Sequence, residues 1–72
     1  MKEEIEKLEK ETDVCRSDIQ KVATRIIKKD LTDDEVLKVL ANYPSAVEDD
    51  PDATWNLIVE DLLYNLEYLE LD

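Results

Sequence analysis

The first third of the chain repeats its apolar positions at alternating spacings of three and four. Ile5, Leu8, Thr12, Cys15, Ile19, Val22 and Ile26 form this series, with Thr12 as its one polar member. A period of 3.5 residues brings side chains to one face only in a helix, so the chain is expected to be all-α. The spacing predicts one helix over about 2–29, closed by Lys28 and Lys29, whose charge suits the negative helix end. Ser17 to Gln20 also fits a capping box, which leaves open a break near Arg16 into two helices. From Ile19 onward Val22, Ala23, Ile26 and Ile27 widen the stripe into the face of a core-packed helix. Before that the seam is narrow, as in a coiled coil, and a helix of this length would reach ~42 Å, more than a small domain needs. Residues 1–16 are therefore expected to overhang as a coiled-coil-like dimerisation segment, with Ile5, Leu8, Thr12 and Cys15 as its contacts.

Two further helices are expected. Thr32 and Glu35 form a capping box that opens a short one over about 33–41, and Val36, Leu37, Val39 and Leu40 supply its core face. Asn42 suits the left-handed position that ends a helix, and Pro44 forbids continuation. Ser45 to Glu48 offers one more capping box, enough for a single turn. The third helix is placed at about 51–69, with Asp50 as N-cap and Pro51 in the first helical position, where the missing N–H is no loss. At 100° per residue it carries two apolar stripes. Trp55, Ile58, Val59, Leu62, Leu63, Leu66 and Leu69 form a broad one, and Leu57, Tyr64, Tyr68 and Leu71 lie nearly opposite. A helix in so small a bundle covers one stripe with its own core. The other must face something else.

Composition narrows the chemistry. The 72 residues, expected to form a single helical domain over 1–72, contain no His, no Gly and one Cys. No glycine loop can cradle a phosphate, and no nucleophile elbow can form. The residue that most often moves protons near neutral pH is missing, and a lone thiol gives neither an internal disulfide nor a zinc ligand set. The aspartates at 49, 50 and 52 fail a calcium-loop pattern. Counted from Asp50, Trp55 stands where Gly is needed and Asp61 where Glu is needed. The expectation is no enzyme, no cofactor and no metal. Ten charges in the first sixteen residues and no long apolar run also predict no membrane segment, and the expected compartment is cytoplasmic.

The net charge of -11 is unevenly placed. Residues 1–29 carry eight Lys or Arg against seven Asp or Glu, a net of +1; residues 30–72 carry Lys38 against thirteen acids, a net of -12. Such a half repels phosphates and anionic lipid, so direct nucleic-acid or membrane binding is not expected; a protein with a basic surface is. Lys21, Arg25 and Lys28 read as a solvated flank or as salt-bridge partners for the acidic half. The expected partner-binding set is Leu57, Tyr64, Tyr68 and Leu71 as anchors, with Glu60, Asp61, Glu67 and Asp72 steering and setting register. In composition, though in no motif, the chain resembles the small acidic helical inhibitors that phages direct against nucleases, which implies DNA-mimic-like blocking of a protein that handles nucleic acid; a monomer is too sparse in charge to imitate a duplex in full, but a dimer could block a basic groove. The chain is expected to assemble as a homodimer through its first and third helices, and the rival expectation is a structural or adaptor protein whose apolar stripes serve that assembly alone.

Overall fold

The computed structural model describes residues 2–66, which form four helices and no strand: α1 (Lys2–Thr12), α2 (Arg16–Ile26), α3 (Asp33–Asp49) and α4 (Trp55–Tyr64). The all-α expectation holds, with four helices in place of three. α3 packs against α1 and α4, and α2 packs against α4. One core joins Ile5 and Val14 to Ile19, Val22 and Ala23 of α2, Val36, Val39, Leu40 and Tyr43 of α3, and Ile58, Val59, Leu62 and Leu63 of α4.

The expected long first helix is broken after Thr12. The Thr12 hydroxyl donates to the Leu8 carbonyl (2.8 Å) and accepts from the Val14 amide (3.3 Å), drawing the chain out of helical register. Asp13 follows in the left-handed region at φ 63°, which Asp tolerates better than most residues. α2 then starts from Cys15, whose side chain makes no cap bond; the Glu9 carboxylate, reaching across from α1, accepts from the Arg16 amide at 2.8 Å. A left-handed residue costs roughly 1–2 kcal/mol. Burying a Val- or Ile-sized side chain returns about 1.5–3 kcal/mol, and the break buries both Ile5 and Val14. Folding back is thus the better arrangement. The overhang is corrected accordingly: α1 lies along α3, and the longest dimension of the molecule is 29 Å.

The remaining connections are also tightly bonded. α2 ends at Ile26, and Lys28 just beyond it is again left-handed (φ 60°), with its amide on the Ala23 carbonyl at 3.1 Å. The Gln20 side chain then clamps the next loop from both sides, donating to the Leu31 carbonyl (2.9 Å) and accepting from the Leu31 amide (2.7 Å). Thr32 and Glu35 form the expected capping box. α3, however, runs on to Asp49 with Pro44 inside it, so neither Asn42 nor Pro44 ends the helix, and Ser45 to Glu48 form its last turns. The Asn42 side-chain amide donates to the Lys38 carbonyl one turn back. Continuing past the proline forgoes one backbone bond but packs Tyr43, Ala46 and Val47 on the core. Asp50 and Pro51 likewise do not open the last helix. Asp50 caps the end of α3, the Ala53 amide bonds the Asp50 carbonyl across a turn (3.1 Å) in which Pro51 takes the position that suits its fixed φ, and α4 starts after Thr54.

Candidate interaction surface

α4 separates its side chains into two arcs. Ile58, Val59, Leu62 and Leu63 are buried. Leu57 and Tyr64, two turns apart on the opposite side, are 52% and 67% exposed. Between these two apolar residues lie Glu60 and Asp61. At 100° per residue these four positions span about 100° of the helix surface, which makes them one face. No buried polar side-chain atom lacks a hydrogen bond among the described residues, so the interior leaves no polar demand for a ligand.

Charge is partitioned across the surface in the same way. Arg25 of α2 pairs with Glu60 at 3.1 Å and forms one edge of the face, as the reading of the basic stripe allowed. Lys29 pairs with Glu35 at 3.3 Å, and Arg16 with Asp33. These contacts involve three carboxylates of the acidic half. Asp61 and the run Glu48, Asp49, Asp50 and Asp52 are exposed and make no ion pair among the described residues. Glu48 and Asp49 stand in the last turn of α3, which holds no basic residue, so they face the negative end of that helix dipole. The Asp50–Ala53 turn leads directly into α4 and leaves this run at the N-terminal end of the same helix.

Several assigned residues move. Leu57, Glu60, Asp61 and Tyr64 share the outer face of α4 as expected, with Glu60 already ion-paired. Glu67, Tyr68, Leu69, Leu71 and Asp72 lie outside the described residues. The seam set is dispersed. Ile5 is buried in the core, Leu8 packs on it half-buried, Thr12 turns to its own backbone, and Cys15 is exposed where Val14 takes the buried place. Those four residues therefore present no continuous dimer stripe. Trp55, placed by the 100° steps on the broad apolar stripe, is 44% exposed; it stands in the first turn of α4, in a shallow groove with Lys21, Val22, Arg25 and Asn56. Tyr43 was not assigned to the core, and burial pushes its hydroxyl pKa up. Among the described residues no group of His, Cys, Asp or Glu is arranged to hold a metal, and no helix is long and apolar enough to cross a membrane. Comparison with family models, curated proteins and solved structures finds no match.

Proposed function

We propose that this chain is a non-catalytic acidic interaction protein whose α4 outer face binds, and thereby inhibits or regulates, a partner protein with a basic surface. The observation that carries this reading is the exposure of Leu57 and Tyr64 on one helix face with carboxylates between them. Each such apolar group forgoes about 1.5–3 kcal/mol if it stays in water, and Tyr is a preferred hot-spot residue. The uncompensated carboxylates at 48–52 supply the field that would steer a cationic partner. Imitation of a duplex is not needed for this and is poorly supported for a single copy. Duplex DNA carries about seventeen phosphates along the 29 Å of the longest dimension, against a net charge of -11.

The test is affinity capture from the host lysate with the wild-type chain and with Leu57→Ser/Tyr64→Ser, at low and at physiological salt. A basic protein retained by the wild type, lost with the double variant and weakened by salt is the expected result. Identical retention by both chains would remove the α4 face from the reading and leave the structural or adaptor role.

A further inference from the structure

Resting on that reading, we infer that the occupant of the α4 outer face is a basic amphipathic helix of another protein, with apolar residues two turns apart and Lys or Arg midway between them, and not a second copy of this chain. Symmetry and charge together separate the two. Leu57 and Tyr64 are seven residues apart, about 10.5 Å along the helix axis. A two-fold that sets Leu57 of one copy on Tyr64 of the other runs between residues 60 and 61. It stacks Glu60 and Asp61 on the same two carboxylates of the mate. A parallel arrangement does the same, since each residue then faces itself. Arg25 offsets Glu60 in each subunit, but Asp61 has no such partner among the described residues. Like charges at the centre of an interface oppose association, whereas a foreign helix with cations at that height satisfies both carboxylates and both apolar anchors.

Area points the same way. A stable interface takes about 800 Å² from each partner, roughly a sixth of the 4914 Å² surface. The ten residues of α4 are only about 15 Å long, so the occupant must extend past the helix. The residues that precede α4 in the chain, Glu48, Asp49, Asp50 and Asp52, are exposed and acidic, which favours an occupant that stays basic along its length.

The test uses the full chain, isotope-labelled, and a synthetic alanine–glutamine helical peptide with two leucines seven residues apart and an arginine pair midway between them. Amide shift changes centred on Leu57, Asp61 and Tyr64 are expected, and Asp61→Arg should weaken binding at least about tenfold. A peptide with glutamates in place of the arginines should bind Asp61→Arg better than it binds the wild type. Asp61 is exposed, so the variant is expected to fold. Shifts confined to 48–52, with no effect of Asp61→Arg, would overturn the inference, and so would a dimer broken by Leu57→Asp. If lysate capture still depends on Leu57 and Tyr64 while the peptide fails, the partner has another chemistry and the broader reading survives. Failure of both experiments removes the broader reading as well.

Discussion

The two sides of α4 both carry large apolar side chains, and these meet opposite fates. Ile58, Val59, Leu62 and Leu63 are enclosed by α2 and α3, while Leu57 and Tyr64 are left in water. Leucine stands on both sides, but Glu60 and Asp61 lie between Leu57 and Tyr64, whereas the inner arc carries no charge. The number of helices matters as well. With α1 folded against α3 and α2 against α4, no fifth element among the described residues lies over the outer arc. The inner arc holds the fold together and the outer arc is left for recognition, so equivalent substitutions on the two should have unlike consequences.

The sharpest way to break that contrast is to place the same charge on each side. Val59→Asp puts a carboxylate at a fully buried position, and the chain should lose its cooperative thermal transition, because a core this small supplies only ~3–5 kcal/mol. Circular dichroism checks this directly. Leu63→Ala, on the same arc, should cost about 2–5 kcal/mol in urea unfolding. Relief of the crowded acids beside α4 comes next. Glu48→Gln with Asp49→Asn should raise stability by roughly 0.3–1 kcal/mol per site at low ionic strength, and the gain should shrink as salt is added. On the outer arc Leu57→Asp should shift stability by no more than about 0.5 kcal/mol while abolishing capture of the partner. A pH series supplies the smallest effect. The backbone amide of Thr32, and then the Lys29 ammonium, hold the Glu35 carboxyl below the usual glutamate range. A depressed pKa contributes stability that is present above the unfolded value and lost as pH falls through the folded one. Glu35→Ala should therefore flatten only that acid limb.

Local rules were legible in the sequence; choices made by packing were not. The Thr32–Glu35 box, the buried face of α3 and the inner arc of α4 from Ile58 to Leu63 each depend on residues within a few positions of one another, and stand where the spacing puts them; Trp55, on the same stripe, does not. The break between Thr12 and Arg16 was legible only as the alternative that the Ser17–Gln20 box left open, because the three–four spacing continues in phase across it. Burial of Val14 in place of Cys15 makes the break worthwhile, and that partner lies on other helices. Pro44 misled in the opposite sense, since a single lost backbone bond is outweighed by the contacts of Tyr43, Ala46 and Val47. Pro51 suits both a first helical position and a turn, and only the Asp50–Ala53 bond separates the two. On the candidate surface, the joint placement of Leu57, Asp61 and Tyr64 was readable from 100° steps, but the pairing of Glu60 with Arg25 required the docking of α2 on α4.

Sedimentation equilibrium of the wild-type chain at physiological salt tests the central claim most directly. An outer arc reserved for a foreign helix predicts a single species of 8.4 kDa across the concentration range. A species of twice that mass, returned to the single mass by Leu57→Asp, would show that this face is occupied by a second copy.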